Sequence, residues 1–397
     1  MPQNKSVIVI GGNHHNTLGV IRSLGRKGIR PYVILTSGDK TSFVLKSKYI
    51  LSSIVVNTSD EAIDVLLSNF CNREYKPVII ACHDKIASLI DLNREKLSSY
   101  FILPGCNFQG AITAMMDKKK MSEFAIKNGL MVPNTFILNP KMLEASNDIT
   151  FPCITKPVAS VSGSKNDIHV CYSKSELTKY ISNSINQELL VQQFIDKSTE
   201  FQLIGCSLDA GNDIIIPGVS IILRQPSTTN TGFLHYKTLD ISFYKTVEKT
   251  KKIIQELGFS GLFSVEFIRD NHGDDYFMEI NFRNDGNAIA VTNAGVNLPY
   301  IWYLNGIGEE YKNEVSKIKE EFVMPEFAEL ALLAQCEISL RDLWRDMKLA
   351  TSYMDYDPND TSPTNGWKLY ILCLVRSFAK YFIKRVYHHN EAFKKSI

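Results

Sequence analysis

Between Gly261 and Asn287 the chain reads GLFSVEFIRDNHGDDYFMEINFRNDGN, two apolar runs around a polar turn, and no other segment restricts the fold as much. Alternate residues of a strand point to opposite faces of a sheet. In the first run Phe263, Val265 and Phe267 share one face, and Leu262, Ser264, Glu266 and Ile268 share the other. In the second, Tyr276, Met278, Ile280 and Phe282 form an apolar face opposed by Phe277, Glu279, Asn281 and Arg283. Asn271 to Asp275 is rich in turn formers, which predicts an antiparallel hairpin with a two-residue tip at His272-Gly273. That tip sets Glu266 directly opposite Glu279. Cross-strand Cβ atoms on one face lie about 4.5–5.5 Å apart, where like charges destabilise each other. The pair therefore calls for a cation. With Asn281 the two glutamates make an all-oxygen set without His or Cys, suited to Mg2+ or Mn2+ rather than zinc. Magnesium completes its shell with water and substrate phosphates, so a nucleotide site should lie nearby. The alternative, two solvent-facing glutamates on a one-sided sheet, sits poorly with Leu262 and Phe277 on the same face.

At 397 residues the chain is long enough for two or three domains. A net charge of +2 gives no global excess of cations to neutralise phosphates, so nucleic acid is not an expected partner. Cys71, Cys82, Cys106, Cys153, Cys171, Cys206, Cys336 and Cys373 show neither CxxC pairs nor metal-finger spacing, and most read as reduced core residues of a cytoplasmic protein. The start, MPQNKSVIVIGGN, enters a strand at once and has no signal-peptide pattern, and no run approaches the roughly 20 apolar residues of a spanning helix.

The first 110 residues alternate strands (SVIVIGG, IRPYVILT, PVIIACHD) with helices, a βαβ pattern that implies a parallel sheet. The turn Gly11-Gly12-Asn13-His14-His15-Asn16 lacks GxGxxG, and no acidic residue closes the second strand, which argues against a dinucleotide cofactor. His14 and His15 are either exposed loop residues or part of a strand-to-helix mouth that holds an anionic group of a substrate. AITAMMDKKKMSEFAIKNG reads as one helix ending at Gly129. FPCITKPV follows as a strand carrying Lys156, then ASVSGSKND, a small-residue loop of the kind that wraps backbone N–H groups over phosphates.

This order of features resembles the ATP-grasp superfamily, in particular its carboxylate–amine ligase branch, over roughly residues 1 to 310. The specific part is SVEF…MEINFRNDGN. The resemblance implies an α/β and α+β architecture: a parallel α/β pre-ATP-grasp domain over 1–110, then an ATP-grasp fold over 111–310. The latter divides into a lysine and loop part (111–192) and a hinge and metal-hairpin part (193–310), with an extension over 311–366 and a basic tail over 367–397. It implies ATP and Mg2+ or Mn2+ as cofactors, and small-molecule carboxylate and amine substrates joined through an acyl phosphate. Lys118 and Lys156 would contact the nucleotide phosphates, while Ser162, Gly163 and Ser164 with Lys165 would fold over them. Gln193 and Phe194 would hold adenine, with Gln193 standing where relatives usually have glutamate, and Glu200 would accept from the ribose. Glu266, Glu279 and Asn281 fall on the metal positions, and Arg283 on the position that steadies the reacting group. Arg224 and Lys237 are candidates for holding a substrate carboxylate or the γ-phosphate; each can equally be a surface charge. A biotin-carboxylase-like enzyme and a non-catalytic nucleotide-binding module share the fold and remain open at this point.

The segment around Asp355, Asp357, Pro358 and Pro363 is expected to be ordered against the enzyme. From Arg376 to the end six Lys/Arg stand against Glu391 alone, and Arg376, Lys380 and Lys384 recur at four-residue spacing on one helical stripe. Two readings follow for this helix. It packs on the ligase body or on a second subunit, giving a homodimer, or it contacts an anionic membrane surface at the inner face of a membrane, which would suit a cell-envelope or polysaccharide precursor as substrate.

Overall fold

The computed structural model describes residues 5–71, 75–138, 149–157, 169–183, 189–224, 231–365 and 368–394, the last ten through their backbone. Ser162, Gly163, Ser164 and Lys165 lie outside the described residues. The chain opens with β1 (Val7–Gly11), α1 (His15–Gly25), β2 (Tyr32–Leu35), β3 (Ser52–Val55), α2 (Ser59–Asn69), β4 (Val78–Ala81) and α3 (Asp84–Leu92). The four strands form a parallel sheet in the order β3-β2-β1-β4. Val7, Ile8, Val9 and Ile10 are all buried, because helices cover both faces of such a sheet. The order reverses at β1, with β2 on one side and β4 on the other. In open α/β sheets the crevice beyond the strand ends at such a reversal is where ligands bind.

Three short helices follow: α4 (Arg94–Leu97), α5 (Ala111–Met115) and α6 (Lys118–Lys127). The single helix predicted over Ala111 to Gly129 is thus two. Asp117 interrupts it, with extended backbone and a carboxylate that accepts the Lys120 N–H at 2.9 Å as an N-cap. The break places Lys118 in the first helical turn. Next come β5 (Thr135–Leu138), β6 (Cys153–Pro157), β7 (His169–Cys171), α7 (Lys174–Asn183) and β8 (Leu189–Gln193), with the strands in an antiparallel sheet ordered β5-β8-β6-β7.

The largest sheet is built from β9 (Lys197–Leu208), β10 (Asp213–Ile215), β11 (Val219–Arg224), β12 (Phe233–Lys237), β13 (Gly261–Asp270), β14 (Asp275–Asn281), β15 (Glu321–Met324) and β16 (Ser352–Tyr353). Its order is β14-β13-β9-β11-β12-β15-β16, with β10 on β9. Helix α8 (Ile241–Leu257) covers one face through a core of Phe201, Phe243, Phe263, Val265 and Phe267. The other face, through Ile204, Leu234, Tyr236 and Leu262, packs on α9 (Ile289–Asn293), α10 (Leu298–Gly306) and the parallel sheet. The sheet is buried on both sides at its Leu262 end and opens toward Glu266.

The C-terminal part adds α11 (Glu326–Gln335), α12 (Leu340–Leu349) and α13 (Lys368–Lys394). The loop between α12 and α13 is ordered, as expected, by buried charge. Arg22, only 1% exposed, pairs with Asp360 at 3.1 Å and donates to the carbonyls of Asp355 and Asp360 at 2.8 and 3.0 Å. Arg26 holds Asp357 at 2.8 Å, and Glu326 accepts the N–H groups of Met354, Asp355 and Tyr356. The loop is thereby fastened to α1.

Candidate active site

The hairpin pairs Glu266 with Glu279, but by a different route from a two-residue tip. The Asp270 N–H bonds Asp274 O at 3.0 Å, leaving a three-residue loop, Asn271 to Gly273, in which Gly273 takes a φ of +90° open only to glycine without strain. That loop shifts the register by one residue, and an extra residue on β14, Met278, shifts it back between Phe267 and Glu266. The bulge also reverses the faces beyond it. Phe277 pairs with Phe267 and is 1% exposed in the α8-side core, so it does not share the face of Glu279.

Glu266 sits within a polar relay. Its Oε1 accepts from Gln202 Nε2 at 3.1 Å and Asn281 Nδ2 at 3.3 Å, and Gln202 Oε1 accepts from Asn287 Nδ2 at 2.8 Å. Burial, then the charges of Glu279, Asp285 and Glu200, push its carboxyl well above the usual range, against the opposing pull of Arg283. This carboxylate cluster is short of positive charge. Among the described residues no group of three or more His, Cys, Asp or Glu forms a metal cage. Two carboxylates and an amide match a hard divalent cation that also takes oxygens from a substrate. Asn281 turns its nitrogen toward Glu266 and its oxygen toward Arg283 Nη2 at 3.1 Å, so serving such a cation requires its amide to rotate.

Three of the residues expected to meet the nucleotide, Lys118, Lys156 and Glu200, converge on the same place. Lys156, half-buried on β6, donates to Gln192 Oε1 at 2.8 Å. Its ammonium is lowered to about 8, first by burial and then by the charge of Lys118, against the pull of Glu279, Glu266 and Glu200. Lys118 is half-buried, whereas Lys119 and Lys120 are exposed. The packing of α6 on β14, where the Ile280 N–H meets Met121 Sδ at 3.3 Å, fixes this arrangement. Glu200 pairs with Ile268 across β9–β13 and shares the Glu266 face. It accepts from Lys197 at 2.5 Å. Gln193 is tied to Asn134, its N–H donating to Asn134 O at 2.8 Å, and Phe194 beside it is exposed.

Arg283 leads from the hairpin to the parallel sheet. Its Nε and Nη2 donate to the two oxygens of Asp84 at 3.0 and 3.3 Å, and Nη1 lies 3.5 Å from Asp285. Burial opposes its charge, but Asp84 and Asp285 outweigh burial and raise it. Asn16 and Asn284 close the junction reciprocally: Asn16 Nδ2 donates to the carbonyls of Cys82 and Asn284, both at 2.8 Å, and Asn284 Nδ2 returns to Asn16 Oδ1. Three imidazoles gather here, at the reversal point of the sheet. His14 and His15 follow β1 with rings 3.8 Å apart, and His83 follows β4 and meets Thr36 Oγ1 at 3.0 Å. His15 faces Thr231 Oγ1 at 3.1 Å, and burial holds its ring down at about 3. His83 is lowered by burial despite Asp84. His14, an exposed residue whose ring is partly desolvated, is lowered first by that desolvation and then by Arg283, against the pull of Asp285. The crevice therefore presents neutral rings around one guanidinium. Asp84, Asp285, Gln202, Asn16, Asn284 and His83 are absent from the residues predicted for the site. The signals for them are the polar pair closing the strand PVIIACHD and the polar run NDGN after Arg283.

Two candidates lie elsewhere. Lys237 pairs with Val219, which faces the α8-side core, so it projects on the opposite face of the sheet from Glu266. Its ammonium meets Asp240 at 3.1 Å and lies 5.6 Å from the centre of the Phe243 ring. Arg224 is engaged by buried carboxylates of the C-terminal helices, Glu329 and, at 2.6 Å, Asp346. A bulge between Ile222 and Arg224 turns it that way.

Comparison with known proteins agrees with this geometry. A family model described as "ATP-grasp in the biosynthetic pathway with Ter operon" matches residues 240–329, which include the whole hairpin. A D-aspartate ligase of Enterococcus faecium (strain Aus0004) is 22% identical over 248 residues, covering 58% of this chain and 58% of that protein. An L-amino acid ligase from Bacillus licheniformis superposes with a TM-score of 0.62 at 16% identity, over 81% of this chain and 80% of that one. The biotin carboxylase domain dimer of Hydrogenobacter thermophilus 2-oxoglutarate carboxylase, solved with MgADP, ADP and bicarbonate, gives 0.62 at 18% identity over 79% and 74%. The chain thus has the fold of these ATP-grasp ligases, and its hairpin lies within the segment that the ATP-grasp family model matches.

Proposed function

We propose that this chain is an ATP- and Mg2+-dependent ligase that activates a carboxylate as an acyl phosphate and joins it to an amine. The observation that carries the reading is the convergence on one sheet face of Glu266, Glu279 and Asn281 with Lys118, Lys156 and Glu200, one step from Arg283. Glu266, Glu279 and Asn281 would hold magnesium, which supplies charge neutralisation at transferring phosphate oxygens when bound. Lys118 and Lys156 would hold the phosphates, Gln193 and Phe194 the adenine, and Glu200 the ribose; Ser162, Gly163 and Ser164 would cover the phosphates. Arg283, kept charged and aimed by Asp84, would stabilise the oxyanion that forms when the amine attacks the acyl carbon. The neutral imidazoles of the crevice line the side from which acid or amine enters. A cell-envelope or polysaccharide precursor as the acid rests on the surface of the C-terminal helix alone.

The test is phosphate release from ATP by the purified chain, with amino acids offered in pairs as acid and amine and bicarbonate offered separately. Amine-dependent release with Mg2+, abolished in Glu279→Gln while the thermal transition is kept, supports the ligase. Release that needs bicarbonate and no amine points to carboxylation, and unchanged turnover in Glu279→Gln refutes the metal assignment.

A further inference from the structure

Helix α13 carries a surface that the ligase chemistry does not use. At 100° per residue its side chains fall into three sectors. Tyr370, Ser377 and Tyr381 are buried, the two tyrosines in a core with Leu330, Leu333 and Leu343, so this sector docks the helix on the body. An adjoining arc of roughly 120° carries Ile371, Leu372, Val375, Phe382 and Ile383, each about half exposed or more, with Val375 at 61% and Ile383 at 70%. Arg376, Lys380 and Lys384 run along one edge of that arc, all exposed. Isolated exposed apolar residues are ordinary, but five on one stripe are a surface built for contact.

We infer that this stripe is an interfacial anchor that lies flat on an anionic phospholipid surface, apolar arc inward and cations at headgroup level. The charge pattern selects this occupant. From Lys368 to Asn390 the sequence contains five Lys/Arg and no Asp or Glu. A second copy packed through the same face would add a second cation row with no carboxylate to answer either, whereas anionic headgroups complement the row. The apolar arc from Ile371 to Ile383 is only about 20 Å long, and among the described residues no helix is long and apolar enough to cross a membrane, so the helix lies on the surface and does not span it. Docking through Tyr370 and Tyr381 keeps the stripe outward without any rearrangement of the body.

Sedimentation of the full chain with phosphatidylglycerol vesicles, against phosphatidylcholine vesicles, tests this. The protein should pellet with the anionic vesicles at low salt and be released at high salt. The triple variant Arg376→Gln, Lys380→Gln, Lys384→Gln should partition about 100-fold less, roughly fivefold for each cation. Val375→Asp with Ile383→Asp should abolish binding, and both variants should keep the wild-type thermal transition, since every changed side chain is exposed. A chain that stays in the supernatant at low salt, or a triple variant that pellets as wild type, overturns the anchor. So does a dimer seen by analytical ultracentrifugation that Val375→Asp splits while no vesicle binding occurs.

Discussion

If Lys156 holds an ATP phosphate as proposed, ATP affinity should depend on pH. Its ammonium is pushed down to about 8, first by burial and then by Lys118. About nine in ten molecules therefore carry it at neutral pH, and about one in ten a unit above that pKa. A charged hydrogen bond to a phosphate contributes about 1.5–3 kcal/mol, or about 10- to 150-fold in affinity. By linkage the same factor is the rise of the Lys156 pKa on binding, about one to two units. The sign follows: below the free-protein pKa both states are protonated and Kd is flat. Between that pKa and the raised value in the complex, binding takes up a proton and Kd climbs about tenfold per pH unit, then levels near pH 10. Calorimetric titration of Mg-ATP in buffers of different ionisation enthalpy reads both quantities. It should find uptake of about half to most of a proton near pH 9. Lys156→Ala should bind about 10- to 150-fold more weakly with no such slope, and Lys156→Arg should bind with a flat profile, since guanidinium does not titrate there. A flat profile in the unaltered chain, or Lys156→Ala binding as tightly as Lys120→Ala, would refute the assignment of Lys156 to a phosphate.

Lys237→Ala should leave turnover unchanged, because the side chain faces α8, and should cost at most about 1 kcal/mol of stability through the lost Asp240 and Phe243 contacts, measured by urea unfolding. A large loss of turnover with full stability would show that the sheet faces are misassigned. Arg22→Met should destabilise by about 3–5 kcal/mol, since Asp360 is left buried without its partner. A loss below about 1 kcal/mol would mean that the loop over 355–360 is not fastened to α1 as described.

The pairing of Glu266 with Glu279 is legible in the sequence because a strand has period two and the turn residues bracket the tip. Its route is not. A three-residue loop and the Met278 bulge are two single-residue shifts that cancel in register, so counting across the tip still pairs the glutamates. They do not cancel in facing, which is why Phe277 belongs to the core although alternation sets it beside Glu279. Arg224 and Lys237 show a related limit. In FLHYK either set of alternate residues can face a site, and only the packing of Val219 against the α8-side core decides which one does.

The gathering of His83 with His14, His15 and Arg283 is not legible in the sequence for a different reason. His14 and His83 stand about seventy residues apart on strands that neighbour each other only because the sheet order reverses at β1. No periodicity encodes strand order, so the three imidazoles become one feature only once the sheet closes. What holds them there is also nonlocal. Asn16 bonds Asn284 at the foot of the hairpin, and Arg22 and Arg26 on the same helix clasp the loop over 355–360. Helix α1 is thus fixed at its start by the segment that follows the Glu266–Glu279 hairpin and along its length by the C-terminal extension. Its buried ionic contacts to that extension are costly to desolvate and give little net stability over apolar packing. The constraint they impose on orientation is the better reason for them: α1 carries His14 and His15 at its N-terminus, and a rotation of the helix would move both rings relative to Arg283. Substitution of Arg22 should therefore alter substrate KM as well as stability, an effect that a purely structural role for the clasp would not produce.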